Sequence, residues 1–298
     1  MTRTVWLASY PKSGNTWFRM LVANLTATDK PVDINGLPEH GGIASARYPF
    51  DHLTLIDSGL LTHEEVDALR PRIYEELRRG TEDDEDEQAE PVRLVKAHDA
   101  YTYTAHGEPH LAGKCGADGA ILIVRDPRDV APSLANHNGS TIDEAIASLN
   151  DPAATFCGSV DRQPNQLRQQ LLGWSGHARS WLEQTDVPLH LIRYEDMFAD
   201  TESVFRRALA FAGREASDDQ IARALRFARF DELKKQEAEK GFREAPRTSA
   251  GFFRRGQTGA WRDELTTEQI ERIERAHAPM MRRLGYRLSS EMSEGEAA

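Results

Sequence analysis

The segment Tyr10-Pro11-Lys12-Ser13-Gly14-Asn15-Thr16-Trp17 constrains this chain more than any other. The short apolar run Thr4–Ser9 precedes it and reads as a buried strand. Trp17, Met20, Leu21 and Leu25 follow at helical spacing. A loop passing from a strand into a helix presents free backbone N–H groups and the positive end of the helix dipole, a setting that favours an anion. Gly14 permits close backbone approach, Ser13 and Thr16 add hydroxyls, and Lys12 adds a mobile cation. The nucleoside-triphosphate pattern G-x-x-x-x-G-K-[ST] places its lysine after a second glycine. Here Lys12 precedes the loop's one glycine, and positions 8 and 9 are Ala and Ser. A phosphate loop is expected, but not the longer cradle that ATP requires.

The rest of the chain repeats the alternation of strand and helix. Val92–Lys96, Ala120–Val124 and Leu189–Ile192 are short apolar runs suited to a parallel sheet covered on both faces. Thr62 and Glu65 form a capping box for a helix to about Arg79, and Pro127 opens another helix. Leu167, Leu171, Trp174, Ala178, Trp181 and Leu182 mark one face of a long helix, with the tryptophans in the core. Further helices are expected at about 201–213, 218–227 and 267–284. The fold class is α/β, three-layer, with a mostly parallel sheet flanked by helices. We expect a single domain over 1–288, a loop-rich insertion at about 28–90 and a disordered tail at 289–298.

The net charge of −11 argues against a nucleic-acid partner. Much of it comes from Glu82–Glu87, six successive carboxylates expected in a solvated loop. No apolar run approaches the roughly 20 residues of a membrane span. Cys115 and Cys157 form no metal or disulfide pattern. A cytoplasmic protein with no membrane association is the expectation.

YPKSGNTW resembles the 5′-phosphosulfate loop of the sulfotransferases that use 3′-phosphoadenosine-5′-phosphosulfate (PAPS), usually YPKSGTTW, and departs only at Asn15. Arg125 at a strand end and Ser133 eight residues later resemble the family's 3′-phosphate site. Arginine's planar fork and a serine hydroxyl suit phosphate oxygens. Arg254-Arg255-Gly256-Gln257-Thr258-Gly259-Ala260-Trp261 resembles the family's RKGxxGDWK segment. Arg255 replaces Lys there, and Ala260 replaces an Asp whose hydrogen bond is thereby in doubt. Tyr194, in Tyr-Glu-Asp-Met, resembles the family's YEDM tyrosine beside the nucleotide, while Ala228 stands where many members carry a hydroxyl near the purine. The resemblance implies a P-loop-like sulfotransferase fold, PAPS as co-substrate and adenosine 3′,5′-bisphosphate (PAP) as product. It implies a nucleotide site of Lys12, Ser13, Gly14, Asn15, Thr16, Trp17, Arg125, Ser133, Tyr194, Arg254, Arg255 and Gly256. The alternatives are a nucleotide-dependent kinase on a related fold and a non-catalytic nucleotide-binding module.

Lys96-Ala97-His98 resembles the family's K-x-H segment, and alternation puts Lys96 and His98 on one side of an extended chain. The resemblance makes His98 the general base in a direct in-line transfer, with Lys12 and Lys96 stabilising charge and no metal required. Gly107 and Pro109 break any helix that would pair His106 with His110, so no metal site is expected there. His137 and Cys157 read as structural. The acceptor group is expected to be a hydroxyl or an amine, on a small molecule or natural product, with a hydroxylated molecule preferred. Loops at 28–60, 99–115, 138–165 and 236–250 would shape its site, with Phe50, Tyr101, Tyr103, Phe156 and Phe242 as candidate walls.

Overall fold

The structure, a computed structural model, describes residues 2–40, 42–83, 91–159, 164–246, 249 and 251–293. Most of the acidic run, Asp84–Glu87, lies outside them. Six strands are found among the described residues: β1 Arg3–Ser9, β2 Val92–Ala97, β3 Gly119–Val124, β4 Thr155–Phe156, β5 Gln169–Gln170 and β6 Leu189–Arg193. The central sheet has the order β2-β1-β3-β6 with every pairing parallel. Gly42 and Ala44 bond to the main chain of Lys96 and cover the outer edge of β2 (Ala44 N–H to Lys96 C=O, 2.8 Å).

Alternation divides the sheet's side chains between two cores. Trp6, Ala8, Leu122 and Val124 pack with Leu134, Ile146, Trp174 and Met281. Val5, Leu7, Ile121 and Ile123 face Phe18, Met20, Phe205 and Ile221. The result is helices on both faces of a parallel sheet, a mixed α/β architecture of three layers. β1 lies between β2 and β3, so the chain departs to opposite sides of it. In open α/β sheets the crevice beyond the strands' C-terminal ends at such a switch is the usual ligand site.

Three parts of the sequence reading are corrected. The expected long helix through Leu167 and Leu171 begins only at Gly173, running Gly173–Glu183. Leu172 and Gly173 both have positive φ, and a Cβ at Gly173 would meet the Leu149 carbonyl oxygen at 2.7 Å. Upstream, Gln169–Gln170 pairs with Thr155–Phe156, and Leu167 packs with Phe50, Val66 and Ile73. The helical spacing there reflects burial against several partners. Besides the helix expected from Thr62, which runs His63–Asp83, the insertion carries an unexpected helix at Arg47–Thr54. Ser289–Ser293 forms a short helix where a disordered tail is expected, with the Ser289 N–H donating to Glu274 (2.9 Å).

The helix His63–Asp83 starts at the expected box, in which the Glu65 carboxylate accepts from the Thr62 N–H (2.8 Å). Its Arg70, fully buried, forks onto Asp99 (3.0 and 2.9 Å) and donates to the Arg168 carbonyl and the Tyr74 hydroxyl. Asp99 directly follows His98, so the insertion is bolted to the end of β2. Removing one partner strands a buried charge, at a cost of about 3–5 kcal/mol. Arg70→Met should therefore lower the unfolding free energy by roughly that amount in a urea titration, and an unchanged midpoint would refute the role.

Candidate active site

Most of the expected site residues gather at the C-terminal ends of the sheet strands, while Ser133 lies in the helix Pro127–Asn138 and Arg254–Gly256 in a separate segment. Lys12 follows β1, Lys96 lies in β2 with His98 just after it, Arg125 follows β3, and Tyr194 follows β6. A cavity of about 680 Å³ opens there. Lys12, Gly14, Asn15, Thr16, Trp17, Lys96, His98, Arg125, Ser133, Tyr194, Arg254, Arg255 and Gly256 line it. Ser13 does not; it is fully buried, and its hydroxyl has no partner among the described residues.

The loop after β1 turns by positive φ at Lys12 (70°) and Gly14 (104°), a geometry that gathers successive N–H groups into an anion-binding concavity. A Cβ at Gly14 would also meet the Tyr194 ring at 2.5 Å, so two constraints demand glycine. Asn15 turns inward, where its amide donates to the Leu7 carbonyl (3.0 Å) and the Ser9 hydroxyl (3.2 Å) and ties the loop to β1. The Trp17 indole donates to the Ala228 carbonyl (3.0 Å) and meets the Tyr194 ring edge-on. Ala228 thus fixes an aromatic wall through its backbone.

Lys12 extends its ammonium over the Phe252 ring, 3.7 Å from the centroid. Burial lowers its pKa to about 7, with Lys96, Arg125 and Arg254 adding repulsion that Glu237 partly offsets. Arg125 stacks over the Tyr194 ring (4.4 Å) and donates to the Gln257 and Lys12 carbonyls. Its Nε is buried with no hydrogen-bond partner among the described residues. Other cations here have carboxylates: Lys96 donates to Glu244 (3.1 Å), while Arg254 and Arg255 share Glu264. Unspent cations at Lys12 and Arg125, beside a nest of N–H groups, are a donor set matched to a polyanion such as a nucleoside bisphosphate.

His98 is held by its Nδ1, which lies 2.8 Å from the Ser9 carbonyl. A carbonyl can only accept, so Nδ1 carries the proton and Nε2 is left as an acceptor on a residue that lines the cavity. Burial, then Lys96, keeps the ring's pKa well below the ordinary histidine value, so it is neutral at pH 7. The His98 carbonyl accepts from His177 (3.2 Å), and the Trp181 indole donates to the Asp99 carbonyl (3.0 Å).

Several participants escape the sequence reading. Asp129 accepts from the Gly259 and Trp261 N–H groups (2.6 and 2.9 Å) and secures the loop whose usual Asp is Ala260. His137, expected to be structural, lines the cavity between Phe156 and Phe252, as does Cys157. Its spacing of four from Ser133 puts both on one helix face, a signal the sequence did carry. Of the five aromatic residues expected in an acceptor wall, Phe156 alone lines the cavity. Phe50 and Phe242 are core, and the Tyr101 and Tyr103 hydroxyls are tied to Asp186. His110 is buried with Nε2 3.8 Å from Asp67, and no metal-binding group of side chains is found among the described residues.

The sulfotransferase domain family's pattern matches residues 2–285. The chain belongs to that family and is a PAPS-dependent sulfotransferase. It is 25% identical over 283 residues to "Cytosolic sulfotransferase 17" of Arabidopsis thaliana, covering 90% of this chain and 71% of that one. With the luciferin sulfotransferase of Photinus pyralis it shares 27% identity over 277 residues, 89% and 68% of the two chains. The fold is similar to that of retinol dehydratase solved with androsterone and PAP (TM-score 0.58, 19% identity, 96% of this chain and 83% of that one). A mouse sulfotransferase complexed with PAP is comparable (TM-score 0.57, 19% identity, 99% and 89%). Among the described residues no helix is long and apolar enough to cross a membrane.

Because Lys12 is half-deprotonated near pH 7 without an anion, binding a polyanion beside it should draw a proton from solvent. Calorimetric titration with PAP at pH 8, in two buffers of different ionisation enthalpy, should show uptake approaching one proton. Affinity should fall as pH rises above about 7, and Lys12→Arg should abolish the uptake. Zero uptake in the native protein would contradict this charge state.

Proposed function

We propose that this chain moves the sulfuryl group of PAPS to the hydroxyl of a small aromatic acceptor, with His98 as general base. The observation that carries the reading is the His98–Ser9 hydrogen bond, which leaves the Nε2 lone pair available on a residue that lines the same cavity as Lys12 and Lys96.

When bound, PAPS supplies a sulfuryl group activated by a phosphate leaving group. Lys12, the loop N–H groups, Arg125, Ser133, Arg254 and Arg255 would hold it, and Trp17 and Tyr194 would wall the base. His98 Nε2 takes the acceptor's hydroxyl proton as the oxygen attacks sulfur. The imidazolium that forms keeps its Nδ1–H on the Ser9 carbonyl and, in its dry cationic surroundings, passes the proton on readily. Lys12 counters the charge appearing on the departing phosphate, the role of a preorganised electrostatic group.

The acceptor assignment rests on the aromatic wall beside Lys12. His137 stacks on Phe156 and meets Phe252 edge-on, and Phe252 also carries the Lys12 ammonium. Burial, then Lys12 and Lys96, lowers His137 to a pKa of about 3, so the wall is uncharged. A flat aromatic body fits such a surface, with its hydroxyl at the His98 end.

A panel of hydroxylated acceptors assayed with PAPS by PAP release should favour phenols and naphthols over saturated alcohols. His98→Ala should cut turnover by about 10²–10⁴-fold while PAP affinity changes little. Full activity in that variant, or loss of PAP binding in step with turnover, would overturn the base assignment. A preference for saturated alcohols would overturn the acceptor class.

A further inference from the structure

The family resemblance leaves Lys96 as a second cation for the reacting group, but the structure gives it a fixed partner. Lys96 Nζ donates to Glu244 Oε2 (3.1 Å), and Arg19 NH1 grips both oxygens of the same carboxylate (2.8 and 3.0 Å). The three come from distant stretches: the end of β2, the first helix Asn15–Ala23 and the segment following Phe230–Lys240. Their side chains are 14%, 7% and 25% exposed, so solvent does little to screen them. All three line the cavity.

We infer that Glu244 is a positioning residue for the transfer reaction: clamped by Arg19, it keeps Lys96 protonated and fixed beside His98. This rests on the function proposed above only for its kinetic consequences. The charged and titratable groups facing Lys96 are Glu244, Arg19, Lys12 and the two neutral imidazoles of His98 and His137. Glu244 is the one anion among them. Without its carboxylate, a buried ammonium would stand among like charges and give up its proton more readily. Lys96 lies close enough to lower the pKa of both His98 and His137. The carboxylate therefore also limits how strongly the base is repelled. The same contact draws the 241–246 segment to the sheet, since Glu244 is its link to β2 and the first helix.

This division of labour separates the two lysines. Lys12 has cations and an aromatic face around it and awaits an anion, whereas the charge on Lys96 is already met. Lys96 then acts as a fixed dipolar pair with Glu244, holding the rim of the cavity and the electrostatic setting of His98.

The test is pH-dependent acylation of Lys96 by a small amine-selective anhydride, read by peptide mass spectrometry on the full chain without any turnover. In Glu244→Gln, an isosteric change, the labelling midpoint should fall by at least about one pH unit, because the counter-charge is gone. In Arg19→Gln, the midpoint should stay at or above the native value, since Glu244 remains and a like charge is removed. With PAPS and the best acceptor, kcat/KM for the acceptor in Glu244→Gln should fall as pH rises toward 8.5, by roughly tenfold against native. PAP affinity at pH 7 should change little. A native-like labelling midpoint in Glu244→Gln, or midpoints falling equally in both variants, would overturn the inference. Labelling shifts as expected without sulfuryl transfer to any acceptor would leave Glu244's role standing and count against the proposed function instead.

Discussion

The crowding of positive charge at one edge of the sheet governs the rest of this site. Four parallel strands end together, and the chain hangs Lys12, Lys96, Arg125 and the Arg254–Arg255 pair around one cavity. Such a collection is unstable in a low-dielectric setting unless each cation meets an electron-rich partner. Glu244 answers Lys96, and Glu264 answers both arginines of the 254–255 pair. Arg125 leans on carbonyls and the face of Tyr194. Lys12 has chiefly the face of Phe252 and a more distant Glu237. The shortfall is concentrated where the loop N–H groups also point, which makes an anionic co-substrate the missing partner.

Glu237, with Asp129 and Asn136, also organises the segments that complete the cavity. Glu237 accepts from the Phe252 and Phe253 N–H groups (2.6 and 2.9 Å), Asp129 from Gly259 and Trp261, and Asn136 donates to the Gly251 carbonyl (2.9 Å). Gly256 sits between these anchors with a φ of 58°, and a Cβ there would strike the Phe230 ring at 2.1 Å. The 251–261 stretch thus owes its path to side chains on two helices, with little regular structure of its own.

The parts legible in the sequence are those whose chemistry is local. The Lys12 loop, the apolar strands and the Thr62–Glu65 box each depend on neighbours within a few residues, so their spacing carries the information. Arg125 and Ser133 are readable because a strand end and the next helical turn are adjacent in the chain. The pairings that tune the site are not local. Glu244 lies 148 positions from Lys96 and 225 from Arg19, and nothing in Phe242-Arg243-Glu244-Ala245 marks it for either. The Leu167–Leu182 stretch misleads for the converse reason. Leu167 is buried by the insertion and Trp174 by the main core, and two unrelated burials happen to fall at helical intervals.

Geometry at His98 shows why the insertion cannot be treated as mere decoration. The general-base role proposed for His98 needs one ring nitrogen fixed and the other aimed, and small misplacements of such a group cost large factors in rate. The Ser9 carbonyl sets the tautomer, but the ring can be no better placed than its backbone. That backbone is held by His177 at the His98 carbonyl, by Trp181 at the Asp99 carbonyl, and by Arg70 at the Asp99 side chain. Two of these come from the helix Gly173–Glu183 and the third from the helix His63–Asp83, on a part of the chain where the family motifs are absent. Position 98 is therefore fixed by contacts that converge from three separate segments. A histidine at a strand end, which alone would be unremarkable, acquires a defined direction from them.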